Sequence, residues 1–365
     1  MRLLWPEPGK DQASVLREDT MKLIACALAL GIFGVQPLYA GETVDVDVGG
    51  GMVVKLAKDR PLKIAFFSEG TNNSAMTASI EGAKEAAAKQ GWAIDVFDGS
   101  FDAVKQSNQI ANALNRDYDA FIVKPLEGNT MCEPASVTAP QRNILVVNAV
   151  LPICGRSGKE GEAQWSPGTL AYVGGTQTPD AFLEVLHKVR ELAPGPQKVG
   201  ILTGNDLNPI TLNFEAALQR FLAETPDWSV VAKARTDWST PVAFEKAQPI
   251  VSAHPEITLY FSHYSNMTRG IVQALEAAGK LGNVKVFDAG GTAWAKQAVK
   301  AGTIDFTTAL YLRSNAAASI EAIAAAQRGE PVPRVIQNEG KPITKGALVQ
   351  FIDSSNVDAY QPEAD

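Results

Sequence analysis

Residues 62–83, LKIAFFSEGTNNSAMTASIEGA, and residues 197–217, QKVGILTGNDLNPITLNFEAA, carry the same order of features. Each opens on a Lys-led apolar run (Lys63; Lys198) and continues into a polar loop with Gly and Asn (Gly70, Asn72, Asn73; Gly204, Asn205, Asn208). Each then enters a helical stretch with Glu-small-Ala (Glu81-Gly82-Ala83; Glu215-Ala216-Ala217). A strand led by Trp92 or Trp228 follows, then an acidic-aromatic loop, an amphipathic helix and another strand. Residues 62–124 and 197–262 therefore match as two βαβαβ units, although any two βα units share part of this pattern. Two such halves in tandem predict two like-folded lobes with a cleft between them. In open α/β sheets ligands bind beyond the carboxyl ends of the strands, where both Asn-bearing loops sit.

Working outward, apolar runs predict strands at 63–67, 92–97, 120–124, 144–148, 198–203, 228–235, 257–262, 284–288 and 304–311. Helical periodicity predicts helices at 75–90, 102–115, 210–223, 241–253, 266–279, 292–301 and 315–328. The strands are continuous apolar runs, not alternating ones, which suits a parallel sheet covered on both faces. Alternation of β and α elements then gives an α/β fold class of two doubly wound parallel-sheet lobes. Residues 41–60, with Gly49-Gly50-Gly51, read as a loosely held leader.

The 365 residues suffice for two domains. Lys and Arg total 33 against 40 Asp and Glu, a formal charge of −7, and no basic run compensates locally, so nucleic acid is excluded as a partner. At 45% hydrophobic and 20% charged residues the chain is too apolar for disorder. Residues 23–35, LIACALALGIFGV, are too short to span a membrane but suit the apolar core of a secretory signal. Lys22 supplies its positive flank, and Leu38-Tyr39-Ala40 a small residue before a cut at Gly41. Glu7, Asp11, Glu18 and Asp19 fit such a leader badly, so translation is expected to start at Met21. A buried core helix and a lipoprotein box at Cys26 are the other readings. Export places the mature chain in the periplasm.

In an oxidising compartment Cys132 and Cys154 can pair, each lying just after one of two neighbouring strands; two free buried thiols are the alternative. Residues 155–169, with Arg156, Trp165 and Pro167, form a long connector, either a lid over the cleft or a surface excursion. There is no CxxC, HExxH or paired-His spacing, so neither a metal nor another cofactor is expected. Phosphate-loop fingerprints are missing from the loop at 68–74, SEGTNNS, and Gly155-Arg156-Ser157-Gly158 is no nucleophile elbow. His187 and His254 read as structural, and His263, ending a strand on the cleft side, as a ligand contact. Nothing assembles a nucleophile with its base, so an enzyme is the third-ranked reading.

The leader, the paired lobes and Thr71-Asn72-Asn73 entering a helix resemble the periplasmic solute-binding receptors of the ribose-binding-protein type, which serve ABC importers. Phe121-Ile122-Val123-Lys124-Pro125, Phe287-Asp288 and Gly270-Ile271-Val272-Gln273-Ala274-Leu275 with Gly279 extend the likeness over residues 62–345. The resemblance implies a signal peptide at 1–40 and a first lobe of 61–148 plus 312–336. It implies a second lobe of 149–311 plus 337–350, a tail at 351–365 and a hinge crossed three times. It further implies a monomer that closes on a small neutral sugar or polyol and is read by a membrane permease. A same-fold receptor reporting to a sensor kinase or chemoreceptor is the alternative. Sugar-responsive repressors share the fold but carry a DNA-binding helix pair where this chain has its leader.

By position in the resemblance, Asn73 matches the family's loop Asn, Glu127 its acidic hydroxyl acceptor, Asp288 its strand-end Asp and Trp238 its stacking aromatic. A helix cap or a loop hydrogen bond is the alternative role for Glu127 and Asp288. Ala75 and Met76 stand where ribose receptors carry two Phe, Thr211 falls near their Arg, and Tyr264 replaces their Asn. Met76, Thr211, Tyr264 and His263 complete the expected ligand set. Losing the aromatic pair and the Arg predicts a roomier, less cationic pocket, a neutral ligand over a carboxylate, and no strict ribose specificity.

Overall fold

The computed structural model describes residues 41–337 and 349–365. The signal peptide, the start at Met21, Cys26 and most of the 337–350 piece lie outside the described residues.

The chain opens with β1 (Thr43–Gly49) and β2 (Met52–Ala57), then β3 (Lys63–Ser68), α1 (Ser74–Lys89), β4 (Ala93–Asp98), α2 (Ala103–Ala113) and β5 (Ala120–Val123). A π-turn at Pro134–Thr138 runs into the single turn α3 (Ala139–Gln141), followed by β6 (Leu145–Val150) and β7 (Ala171–Gly174). Next come α4 (Pro179–Leu192), β8 (Gln197–Thr203), α5 (Pro209–Glu224), β9 (Trp228–Arg235), α6 (Thr240–Ala253) and β10 (Leu259–Ser262). The chain continues through α7 (Ser265–Ala277), β11 (Lys285–Asp288), α8 (Ala293–Lys300), β12 (Phe306–Thr308), α9 (Leu312–Gln327), β13 (Val335–Gln337) and β14 (Phe351–Asp353).

Two parallel sheets organise these elements. The first lobe's has the order β13-β7-β6-β5-β3-β4, the second's β11-β10-β8-β9. The continuous apolar strands follow from burial on both faces. Ile64 and Phe66 join the larger core cluster, which includes residues of α1 and α9, while Ala65 and Phe67 join a second one with Ile110 of α2, Phe121 and Val146. In the second lobe α4 packs on α5 and α6 on α7. The expected doubly wound, two-lobed α/β architecture is what the chain adopts.

Four expectations need correction. Residues 41–60 are not a loose leader: β1 and β2 form an antiparallel hairpin with Val46, Val48, Val54 and Leu56 buried. Its alternation of Val with Asp is the signature of a half-buried strand pair turned by the three glycines. The first lobe does not end at 148, because β7 pairs in parallel with β6 and lengthens the same sheet. Only a short 3-10 turn, Gly161–Gln164, separates these two strands, so a βα pattern could not signal β7. The boundary falls after Gly174. The residues at 351–365 are no free tail: β14 pairs with β12, Tyr360 Oη donates to Gly291 O at 2.6 Å, and Ala293 N donates to Ala364 O at 2.8 Å. Finally, the expected strand at 304–311 shrinks to β12, since 309–311 carry the chain into α9 of the other lobe.

Candidate functional site

The carboxyl ends of both sheets face one cavity. From the first lobe come Glu69, one residue past β3, Asn73, Ala75 and Met76 at the start of α1, Phe101 after β4, Lys124 after β5, and Val150 and Leu151 at the end of β6. The second lobe gives Ile210, Trp238 and Tyr264, and the crossings give Gln177 and Leu310, with Leu312 opening α9.

Asn73 is the N-cap of α1, its Oδ1 accepting from Met76 N at 3.0 Å. The cap fixes the loop that carries both residues into the cavity. Lys124 Nζ donates to Glu69 Oε2 at 2.6 Å and approaches Met76 Sδ at 3.2 Å. Both charged side chains are almost fully buried, so each is tolerable there only because the other neutralises it. Glu69 Oε1 accepts from Asn208 Nδ2 at 2.9 Å, and the same amide donates to Leu126 O at 3.1 Å. Asn208 caps α5 through its Oδ1, so this contact spans the cleft from the second lobe to the first.

Two aromatic side chains reach the wall from strained turns. Trp238 sits at φ 69° and Phe101 at φ 56°, a region that disfavours residues with a Cβ. Each ring lies against a glycine. A Cβ on Gly204 would come within 2.0 Å of the Trp238 indole, and one on Gly70 within 2.4 Å of the Phe101 ring. The glycines of the two repeated loops thus make room for the rings beside them. Tyr264 is buried next to Trp238, ring centroids 6.2 Å apart, and its hydroxyl makes no hydrogen bond of good geometry. Burial pushes its pKa up to about 12, with Ser74 and Ala75 of the facing lobe close enough to oppose that rise.

Of the expected ligand residues, Asn73, Met76, Trp238 and Tyr264 are brought together on the wall. Glu127, Thr211, His263 and Asp288 are not among the residues that line it. Glu127 is half-buried in the loop after β5, where its backbone carbonyl accepts from Thr130 Oγ1. Asp288 is fully buried, its oxygens taken by Thr268 Oγ1 (2.5 Å), Ser265 Oγ (2.9 Å), Gly290 N (3.0 Å) and Thr307 Oγ1. Burial raises its pKa, and these four donors oppose the rise. Its carboxylate clamps the first turn of α7 behind Tyr264. His263 lies behind Trp238, ring centroids 5.0 Å apart, also touching Phe182 and Phe214. Thr211 is buried with an unpartnered hydroxyl.

Glu69, Phe101, Lys124 and Gln177 were missed. Glu69 and Lys124 were legible in principle: Lys124 directly follows the apolar run 120–123, Glu69 stands one serine beyond the apolar run 64–67, and β3 and β5 are neighbours. Phe101 adds an aromatic ring to the wall that Ala75 and Met76 do not supply. Cys132 and Cys154 form a disulfide between the loops after β5 and β6. The connector 155–169 is the surface excursion, not a lid. It adds no residue to the wall, and it is pinned by Gly158 N to Asn213 Oδ1, Asp180 N to Glu160 Oε1 and Gly168 N to Val48 O, each at 2.7 Å.

Known proteins share this arrangement. The family described as "Periplasmic binding protein domain" matches residues 64–331. A xylitol-binding protein of Mycolicibacterium smegmatis is 26% identical over 206 residues, which cover 55% of this chain and 54% of that one. The ribose import binding protein of Bacillus subtilis is 20% identical over 57% of this chain and 64% of its own length. The chain thus spans between half and two thirds of these two relatives. A crystal structure of an ABC transporter solute-binding protein from Mycobacterium smegmatis with bound glycerol superposes with a TM-score of 0.70 at 22% identity, over 84% of this chain and 99% of that one. A match over most of the sequence, together with two parallel-sheet lobes meeting at one cavity, means that the chain belongs to the periplasmic binding protein family.

Proposed function

We propose that the protein is an exported receptor that binds a small neutral sugar or polyol between its lobes and presents the closed form to an ABC importer. The observation that carries this reading is the shared cavity. Asn73 and Phe101 come to it from one lobe and Trp238 and Tyr264 from the other, with Asn208 reaching Glu69 across the cleft. Aromatic faces suit the C–H surfaces of a sugar ring, and planar polar groups suit its hydroxyls. Glu69 and Lys124 cancel each other's charge, which favours a neutral ligand over an ion. The xylitol-binding relative and the glycerol-bound structure point to the same chemical class. Residues 1–40 act as the export leader, read from Met21. Among the described residues no helix is long and apolar enough to cross a membrane.

A thermal-shift panel of pentitols, hexoses and inositols tests the reading, followed by calorimetry on the hits. A true ligand at a hundredfold excess over Kd stabilises the protein by about 2.7 kcal/mol and is recovered unchanged. Trp238→Ala should lower its affinity by at least tenfold. A panel with no stabilising member, or a hit indifferent to Trp238→Ala, would remove the proposal.

A further inference from the structure

The cavity wall is more apolar than a fully hydroxylated ligand would want. Met76, Leu151, Ile210, Leu310 and Leu312 all line it, from both lobes and from the second crossing. Its polar groups are few and partly engaged. Both oxygens of Glu69 already accept hydrogen bonds, from Lys124 and Asn208, and Asn73 Oδ1 caps α1. The Gln177 side chain lines the cavity as well, and the Tyr264 hydroxyl, itself buried, lies beside Ser74 and Ala75 of the facing lobe. A hydroxyl set against Leu310 or Leu312 loses its water and gains no partner there. A methyl in that place loses nothing and buries apolar surface.

We infer that the ligand is amphipathic: a sugar or polyol with one hydroxylated edge, set toward Glu69, Asn73, Lys124 and Tyr264, and one aliphatic edge, a deoxy carbon or an O-methyl group, set against the leucines. The inference rests on the receptor reading above and names the class of ligand within it. Hydroxyl-for-methyl discrimination at such a wall should amount to about 10- to 100-fold in Kd.

Calorimetry on the mature chain with matched pairs tests it: D-glucose against 6-deoxy-D-glucose, xylitol against 1-deoxyxylitol, and myo-inositol against its mono-O-methyl ethers, with trans-1,2-cyclohexanediol as a probe that is no carbohydrate. The deoxy or O-methyl member of at least one pair should bind about 10-fold tighter or more. Leu310→Asn should narrow or reverse that gap. Parent polyols that bind as tightly as their deoxy or methyl partners in every pair overturn the inference and leave the receptor reading standing. Binding of the cyclohexanediol without any sugar or polyol overturns the receptor reading and upholds the amphipathic cavity. Binding of none of the probes overturns both.

Discussion

His263 ends β10 inside a cage of Phe182, Phe214 and Trp238, and neither ring nitrogen has a hydrogen-bond partner. Desolvation pulls its pKa down to about 3 from 6.5. Between those values the unfolded chain holds a proton that the folded chain refuses. Stability is therefore intact above pH 6.5 and falls as the pH drops toward 3, at a limiting slope of about 1.4 kcal/mol per pH unit. His263→Phe removes the titration and keeps the ring. Urea unfolding at pH 7 and pH 5 should show the wild type losing more stability than the variant; equal losses would refute the assignment. Asp288 makes a different case, because four donors converge on it from α7, the loop at 290 and β12. Asp288→Ala strands them, and since each buried unpartnered donor costs about 1–3 kcal/mol, the expected result is a loss of about 3 kcal/mol or more in unfolding free energy. An unchanged melting profile with affinity alone reduced would return Asp288 to the ligand set.

Among the elements, the disulfide ties the loops after two central strands of the first lobe, β5 and β6, and the N-terminal hairpin packs on α3 and α9. Cys132 precedes the π-turn and Cys154 follows β6, and Ser136 packs between them, its Oγ 3.4 Å from Cys154 Sγ and donating to Cys132 O at 2.7 Å. A closed loop of 22 residues' separation is worth roughly 3 kcal/mol in the chain-entropy model. The double variant Cys132→Ala, Cys154→Ala should lower the urea midpoint accordingly, and reductant should lower that of the wild type but not of the variant. An identical midpoint in all three would show that the bond contributes nothing. The hairpin was legible from period-two alternation at 43–48, yet the three glycines drew the reading toward a loose segment. What they supply is the turn between β1 and β2, all three with positive φ.

For the whole molecule, the two lobes meet across the cleft through residues far apart in the chain. Asn208 Nδ2 reaches Glu69 and Leu126 across 139 and 82 residues of chain. Asn208→Asp keeps a capping oxygen for α5 but replaces the donor with a carboxylate beside Glu69. Losing a hydrogen bond to a charged group costs about 1.5–3 kcal/mol, so ligand affinity should drop by roughly 10- to 100-fold. The ligand-saturated radius from X-ray scattering should also stay nearer the open value. A variant that binds and compacts like the wild type would show that Asn208 has no part in closure.

Local pattern left out β7 and α4, but it determined most of the βα units, the two-lobed architecture, the strand ends that line the cavity and the cysteine pair. These follow from apolar periodicity and from loops that recur in register, which are properties of short windows of chain. Membership of the cavity wall was decided only by the tertiary structure. Glu69 and Asp288 are both acids at or beside a buried strand end, and of the groups that set them apart only the Gly290 amide lies nearby in sequence. Glu69 meets Lys124 from 55 residues away and Asn208 from 139, and stays on the wall; Asp288 is enclosed by hydroxyls arriving from 19 to 23 residues away. Which polar group faces a cleft and which is consumed inside the fold depends on desolvation by distant neighbours, and that sum is taken only once the sheets have assembled.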